Sequence, residues 1–310
     1  MNLWTRWRSA GITLALGGGG VKGYAHLGVL TVLEQAGIPI RAVAGTSIGA
    51  WVGGLYAAGK RADEIMQWFR SLPPDLIRHR RAQDLPAHWG LGGFEPAFRD
   101  FLHPLERIEE TPKPFGAAAV DLNTGRTVYL TRGPLVPALL ASAALPGVFP
   151  PVPWGEHILV DGGVLDNIPV RLARWLAPRA PVVAVVLTTP PEELARRPLP
   201  NIGDRIPVLG GLFKRSRYMQ ALAYFLRAAD MSGAALTYLR LKIDRPEVVI
   251  RVPLAHVTVL GRDADPEDIY RRGLQAAQQA LPHIQRVLKR FFPRPTPRPD
   301  MSDVDFLEPP

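Results

Sequence analysis

The sequence predicts an α/β protein in which helices pack on the faces of a parallel sheet. Two observations predict this class. Short apolar runs alternate with segments whose apolar residues recur at helical spacing. The first two runs each lead through glycine into a helix, which is the order that parallel sheets use. The chain has 310 residues, 47% hydrophobic and 21% charged, so it can bury a large core and is not disordered.

Five elements are expected before residue 70. In the order strand, helix, strand, helix, helix, they cover residues 12–16, 24–35, 40–44, 48–58 and 63–69. Gly37 and Gly59 end the first two helices, as glycine commonly does at a helix C-terminus. The stretch 71–114 has several prolines and no clear period, so we expect an irregular cap beside the site.

The second half of the chain continues the alternation. A hairpin is expected at Asn123-Thr124-Gly125, and the β-branched run 181–188 predicts a buried central strand. The other expected strands cover residues 116–121, 127–130, 158–160, 235–241 and 248–252. The other expected helical segments are 137–143, an amphipathic stretch over 210–231, and 266–290. Residues 291–310 are rich in proline and acidic residues and are expected to form a tail.

The composition excludes several kinds of site. The chain has no cysteine, which excludes disulfides, thiolate zinc sites, iron–sulfur clusters and a cysteine nucleophile. No apolar run reaches the roughly 18 to 20 residues that span a bilayer, so we expect a soluble, cytoplasmic protein. The net charge of +9 suits nucleic acid or an anionic membrane. Its 31 Arg and 6 Lys are dispersed along the chain, which makes this weak evidence for either partner.

A nucleophile candidate lies in the segment Gly45-Thr46-Ser47-Ile48-Gly49, which matches Gly-x-Ser-x-Gly between a strand and a helix. A sharp turn there strains the serine backbone, and the flanking glycines leave room for it. The hydroxyl then projects at a helix N-terminus, where free amides face a developing anion. The alternative is a tight turn that only packs against its neighbours.

A glycine-rich loop precedes it and contains the spacing Gly18-x-Gly20-x-x-Gly23. Taken alone, this spacing also describes a dinucleotide-binding turn, but the next strand ends without the expected carboxylate. A phosphate-binding P-loop is excluded because no Gly-Lys-Ser/Thr follows. The remaining use of exposed amides is an oxyanion hole, so the loop and the serine turn together favour acyl transfer.

A serine nucleophile needs a proton acceptor. Asp161, followed by Gly162 and Gly163, ends a strand, where a side chain points into the crevice that binds ligands in α/β folds. The alternative interpretation is an ordinary Asp-Gly turn. Of the seven histidines, only His157 is retained as a rival base, and His26 is expected to be structural.

Four segments, taken in order, resemble the patatin-like phospholipase family. They are residues 18–30 (GGGVKGYAHLGVL), 45–49 (GTSIG), 141–151 (ASAALPGVFPP) and 161–170 (DGGVLDNIPV). The likeness is strong over residues 12–190. It implies a three-layer α/β/α sandwich around a mostly parallel sheet, and a serine–aspartate dyad without histidine.

The resemblance also implies roles for individual residues. Ser47 would attack an ester carbonyl, and Asp161 would accept its proton and later activate water. The oxyanion would be held by main-chain amides, those of Gly18, Gly19, Gly20 and Ile48. The remaining motif glycines are Gly23, Gly45, Gly49, Gly162 and Gly163. Lys22 and Asn167 would support the site, and Asp166 with Asn167 would brace the loop that presents Asp161. No cofactor and no metal are expected.

The domain organisation and substrate class follow from the same resemblance. We expect a basic and aromatic extension over 1–11, a hydrolase domain over 12–290 and a tail over 291–310. The implied substrates are acyl esters of lipids, with no role for nucleic acid. Peripheral membrane contact could involve 210–231 or the residues Trp4, Arg6, Trp7 and Arg8. Two alternatives stay open: a general carboxylesterase or thioesterase, and a weakly catalytic lipid-binding regulator. A nucleotide-binding protein is disfavoured, because the carboxylate that would bind the ribose is missing.

Overall fold

One sheet of nine strands runs through the part of the chain that the computed structural model describes, residues 11–73, 75–81, 84–87, 89–196, 217–257, 264–290 and 299–309. The strands are β1 Ile12–Leu16, β2 Ile40–Thr46, β3 Phe115–Asp121, β4 Arg126–Leu130, β5 Val152–Trp154, β6 His157–Asp161, β7 Val182–Val186, β8 Val248–Arg251 and β9 Val304–Phe306. Hydrogen bonds link the strands in the series β5-β6-β3-β2-β1-β7-β8, and they also pair β4 with β3 and β9 with β4. In this series β6 and β2 lie one after the other along the same edge of β3, and β4 lies along its other edge.

The centre of the sheet is parallel. β8, β7, β1, β2 and β3 each run parallel to the next, whereas β4 and β6 run antiparallel to β3. Every residue of β1 and β7 is buried, because helices cover both faces of the sheet at this point. The expectation of a mostly parallel sheet with a buried central strand is confirmed.

Nine α-helices lie within the described residues. They are α1 Tyr24–Gln35, α2 Ile48–Ala57, α3 Ala62–Ser71, α4 Phe94–Leu102, α5 Leu135–Ser142, α6 Val170–Leu176, α7 Pro191–Ala195, α8 Arg217–Asp244 and α9 Pro266–Arg290. One face of the sheet packs against α1, α2, α5 and α9 in the larger apolar core. The opposite face packs against α6 and Leu241 of α8 in a smaller core. The chain is therefore the expected three-layer α/β/α sandwich.

The last helix, α9, packs closely along α1. A Cβ added to Gly28 of α1 would lie 2.3 Å from the Tyr270 carbonyl oxygen, and one added to Gly273 would lie 2.1 Å from the Ala25 carbonyl oxygen. Only hydrogen fits at both positions, so the two backbones are in contact. This contact holds α1 in place, and α1 begins directly after the glycine-rich loop.

Several sequence predictions differ from the structure. Residues 235–241, expected as a strand, lie inside α8, where Ala234, Thr237 and Leu241 form its buried side. The expected cap contains the helix α4, which buries Phe98. The strands β5 and β9 were not expected, and β9 lies in the segment interpreted as a tail. A three-residue strand is too short to show the alternation of apolar and polar residues that predicts a strand. Its conformation is decided by pairing with the neighbouring strand.

Several expectations concern segments outside the described residues. These are the N-terminal extension through residue 10, the first part of the amphipathic stretch up to residue 216, and residues 291–298. Within the described residues, no helix combines the length and apolar character that a membrane crossing requires.

Candidate active site

The sheet topology itself brings the serine turn and the aspartate loop together. β2 and β6 pair with the same edge of β3, because β4 occupies the other edge. β2 runs parallel to β3 and ends at Thr46, opposite Ala118. β6 runs antiparallel and ends at Asp161, opposite the adjacent Ala119. The two strands therefore approach each other end to end, and the residues that follow them meet.

The serine turn has a strained backbone. Ser47 has φ 57° and ψ −127°, a positive-φ conformation that residues with side chains rarely adopt, and it is the N-cap residue of α2. A Cβ on Gly45 would lie 2.4 Å from the Gly49 carbonyl oxygen, and one on Gly49 would lie 2.2 Å from the Leu16 carbonyl oxygen. Both glycines are thus required by close backbone contacts.

A short hydrogen bond joins the two candidate residues. The Ser47 hydroxyl donates to Oδ2 of Asp161 at 2.6 Å. The other oxygen, Oδ1, accepts the amide of Gly163 at 2.7 Å, and the Asp161 amide donates to the Ala144 carbonyl at 3.0 Å. Side chain and main chain of Asp161 are both fixed, so Oδ2 is held in place to receive a proton.

Burial sets the acidity of this carboxyl group. Asp161 is 3% exposed, and the loss of solvation raises its pKa to about 6 against the lowering effects of the bonds from Ser47 and Gly163. The group is mostly ionised at neutral pH and is a stronger base than an exposed aspartate.

The glycine-rich loop differs in one respect from expectation. The Gly18 amide donates to the Asn167 carbonyl at 3.1 Å, so it is already engaged. Among the described residues, the amides of Gly19, Gly20 and Ile48 have no acceptor. Of the four amides expected to hold an oxyanion, three are therefore without an acceptor among the described residues, whereas Gly18 uses its amide to hold the loop.

Two buried basic side chains hold this loop. The Lys22 ammonium donates to the Leu187 carbonyl and to the Thr189 hydroxyl, both at 3.4 Å, just beyond the end of β7. His26 donates from Nε2 to the Gly17 carbonyl at 2.7 Å, and burial lowers its pKa to about 4, so the imidazole is neutral. The bond from His26 agrees with the structural role expected for it. The bonds from Lys22 anchor the glycine-rich loop to the segment after β7.

The structure also gives the contacts of Asn167, expected to support the site, and of His157, the rival base. The Asn167 amide group donates to the Thr188 hydroxyl at 2.7 Å, which ties the aspartate loop to the end of β7. His157 contacts Asp121 through Nδ1 at 3.0 Å, whereas the Ser47 hydroxyl bonds Asp161. The geometry therefore favours Asp161 over His157 as the partner of the serine.

Sequence reasoning missed Ser142. Its hydroxyl accepts the Ser47 amide at 3.0 Å and donates to the Ala118 carbonyl at 2.6 Å. Ser142 thereby satisfies the amide of the strained residue and links it to β3. It lies in the motif segment 141–151, but nothing local to the segment indicates which main-chain groups it binds.

Within the described part of the chain, no three His, Asp or Glu side chains are grouped as metal ligands. The polar groups gathered here are a hydroxyl, a carboxylate and main-chain amides, which suit nucleophilic attack and oxyanion stabilisation.

Comparison with known proteins gives the family. The model of the patatin-like phospholipase family matches residues 14–174, more than half of the chain. An uncharacterized NTE family protein of Mycobacterium tuberculosis is 42% identical over 161 residues, which cover 51% of this chain and 44% of that protein. Patatin-like phospholipase domain-containing protein 6 of Homo sapiens is 33% identical over 183 residues, 56% of this chain and 13% of that protein.

Among solved structures, VipD from Legionella pneumophila superposes with a TM-score of 0.46 and 13% identity, over 89% of this chain and 67% of that chain. In both relatives the match spans less than half of the relative's length. The family model itself covers all of the segments that build the Ser47 and Asp161 site. The chain belongs to the patatin-like phospholipase family.

Proposed function

We propose that this protein is a lipid acyl hydrolase that cleaves carboxylic esters through Ser47 and Asp161. One observation carries the proposal: the hydroxyl of a strained serine donates to a buried, oriented carboxylate at 2.6 Å. Family membership supports lipid esters as the substrate class.

In the first half-reaction, Ser47 Oγ attacks the ester carbonyl carbon while its proton passes to Oδ2 of Asp161. The negative charge that develops on the carbonyl oxygen is stabilised by the amides of Gly19, Gly20 and Ile48. Collapse of the tetrahedral intermediate breaks the bond to the alkoxy group, which takes the proton back from Asp161. The alcohol leaves, and the acyl group stays on Ser47.

In the second half-reaction, a water molecule attacks the acyl carbon and gives its proton to Asp161. The same amides stabilise the second oxyanion. Collapse breaks the bond to Ser47 Oγ, which recovers the proton and releases the carboxylic acid. The pKa of Asp161, raised by burial to about 6, suits both directions of proton transfer near neutral pH.

We infer that the enzyme acts where lipid meets water, as a cytoplasmic protein with peripheral membrane contact. The net charge of +9 supports attraction to anionic lipid headgroups. Residues 12–290 are proposed as the hydrolase unit, to which β9 adds a strand. A general carboxylesterase or thioesterase would use the same chemistry, so substrate comparison has to separate these functions.

Labelling with a fluorophosphonate tests the chemistry. Wild type, Ser47→Ala and Asp121→Asn are treated with the probe, and the adduct is located by mass spectrometry. We expect an adduct on Ser47 in wild type and in Asp121→Asn, and none in Ser47→Ala. An adduct on another serine, or no adduct on folded wild type with or without lipid vesicles, would overturn the proposal.

Substrate class is tested with the same preparations. Phosphatidylglycerol vesicles, a long-chain acyl-CoA and p-nitrophenyl butyrate are compared by kcat/KM. A lipid hydrolase prefers the long-chain glycerolipid. Preference for the short ester or for the thioester would replace the lipid assignment and leave the mechanism in place.

A further inference from the structure

A second buried carboxylate, that of Asp166, lies five residues after Asp161 and has different partners. Asp166 is fully buried, and its Oδ2 accepts the Tyr129 hydroxyl of β4 at 2.6 Å. The guanidinium of Arg240 in α8 lies 3.9 Å from the same oxygen. Oδ1 has no hydrogen-bond partner among the described residues. Few groups among the described residues therefore stabilise the negative charge of Asp166.

The main chain at Asp166 and its neighbour touches both halves of the candidate active site. The Asp166 carbonyl accepts the hydroxyl of Thr46 at 2.8 Å, and Thr46 directly precedes Ser47. The next carbonyl, that of Asn167, accepts the amide of Gly18 in the glycine-rich loop. A shift of this two-residue segment would therefore move the serine turn and the oxyanion loop together.

The surrounding charges are few and come from three elements. Arg171 of α6 binds Asp303 with Nη2 at 3.1 Å, and Arg240 lies 3.7 Å from the same carboxylate. Asp244 of α8 adds a further acidic group, whose pKa is raised to about 6 mainly by burial. Burial likewise raises the pKa of Asp166, and the positive charge of Arg240 opposes that rise. Loss of Arg240 would leave three carboxylates with one cation, Arg171.

We propose that Arg240 is a positioning residue for the Ser47 centre: with Tyr129 it holds Asp166, whose main chain in turn fixes Thr46 and the strained serine turn. The inference rests on the proposed function and deepens it. It brings α8 into the site, although the family model ends at residue 174. A buried charge that loses its partner moves toward water, and that movement shifts the loop.

The strain at Ser47 explains why the site is sensitive to such a shift. A non-glycine residue with positive φ is kept in place only by neighbours that fix it. Two of the hydrogen bonds at this turn run from the Ser47 amide to the Ser142 hydroxyl and from the Thr46 hydroxyl to the Asp166 carbonyl. Arg240 acts on the second of these through Asp166.

The test is the second-order rate of fluorophosphonate labelling of Ser47 in Arg240→Met. We expect a 10- to 100-fold decrease, with KM for phosphatidylglycerol vesicles changed less than threefold. The double variant Arg240→Met/Asp166→Asn is expected to return to within threefold of wild type, because the uncompensated charge is gone. The labelling rate of Arg240→Lys, which keeps the positive charge, is expected to lie between the rates of Arg240→Met and wild type.

The matched control is Arg174→Met. Arg174 is also a partly buried arginine that binds α8, through the Asp244 and Arg245 carbonyls, and it pairs with Glu247 at 2.8 Å. Within the described part of the chain, Arg174 forms no hydrogen bond or ion pair with Asp166, so we expect a lower Tm and an unchanged labelling rate.

The rate should also depend on pH in a defined direction. Asp166 of Arg240→Met is neutral at acid pH, so the ratio of variant to wild-type labelling approaches one as the pH falls. The charged and titratable groups around Asp166 are Tyr129, Arg171, Arg240, Asp244 and Asp303. A ratio that stays constant with pH would contradict the role of the Asp166 charge.

Failure of the inference is distinguishable from failure of the proposed function. If wild type labels and folded Arg240→Met labels at the same rate, the inference is wrong and the hydrolase assignment stands. If Asp166→Asn does not restore the rate, Arg240 does not act through Asp166. If Arg240→Met does not fold, the variant Thr46→Val tests the inference, because it removes the hydroxyl that donates to the Asp166 carbonyl. A wild-type labelling rate in this variant would contradict the proposed link from Asp166 through Thr46 to Ser47. An unlabelled wild type overturns the proposed function instead.

Discussion

Residues 12–190 and residues 217–309 are held in the fold by different kinds of contact. In the first region, the site depends on main chain lying against main chain, as where Gly49 approaches the Leu16 carbonyl. In the second region, where β8 pairs with β7 and β9 pairs with β4, α8 and the segment around β9 are also held by side-chain ion pairs. These pairs are Arg171–Asp303, Arg174–Glu247, Arg240–Asp303 and Arg126–Asp305.

The difference explains what each region leaves in the sequence. A backbone contact that excludes Cβ admits only glycine, so the site appears as visible motifs. An ion pair across a helix can be built from several residue types at several positions, so it leaves no motif. In the second region the helix α9 also depends on a close main-chain contact, that of Gly273 with α1.

The largest expected effect separates activity from stability. In Asp161→Asn we expect ester hydrolysis to fall by about 10³-fold, within the range that a general base contributes. The same change should stabilise the fold at neutral pH by up to about 3 kcal/mol, since a pKa raised from 3.8 to about 6 means that the buried charge is unfavourable. Hydrolysis rates and urea unfolding measure both effects.

The control for this prediction is Asp121→Asn. Asp121 also ends a strand of the sheet, but hydrogen bonds from His157, Thr124 and main-chain amides outweigh its burial and lower its pKa. Its neutralisation should destabilise the fold and leave hydrolysis nearly unchanged. Loss of activity in Asp121→Asn alone would mean that His157 and Asp121 form the working pair.

The next effect is the pH dependence. The kcat/KM of wild type should fall about 100-fold from pH 7 to pH 4, because protonated Asp161, with a pKa of about 6, cannot accept the serine proton. The contribution of Asp161 to stability has the opposite sign. It is fully present below about pH 4 and is lost as the pH rises through about 6, since the folded state holds the proton more tightly. A rate profile that is flat across this range would exclude Asp161 as the base.

The smallest effects compare one glycine in each C-terminal helix. Gly273→Ala in α9 should destabilise the fold by about 1–3 kcal/mol, because its Cβ would lie 2.1 Å from the Ala25 carbonyl oxygen. Gly233→Ala in α8 has nothing within 4 Å of its Cβ and should stabilise by about 0.5–1 kcal/mol through helix propensity. Thermal unfolding measures both variants. Equal shifts would show that α9 does not pack more tightly than α8.

The sequence by itself determined the fold class and the candidate residues of the site. Ser47 and Asp161 could be named as candidates because each lies at the end of a short apolar strand with a glycine within two residues. The helix α9 was predicted over its full length, since its apolar residues keep one period for seven turns. These are local signals, and local signals can be read without knowing which elements become neighbours.

Only the tertiary structure decided which groups meet. The strands β2 and β6 approach each other end to end because both pair with the same edge of β3. The Gly18 amide is hydrogen-bonded because the fold brings the Asn167 carbonyl to it. Residues 235–241 have an apolar pattern that fits a strand or a helix, and packing against α6 selects the helix. Contacts between residues far apart in the chain depend on the whole fold, and no local pattern encodes them.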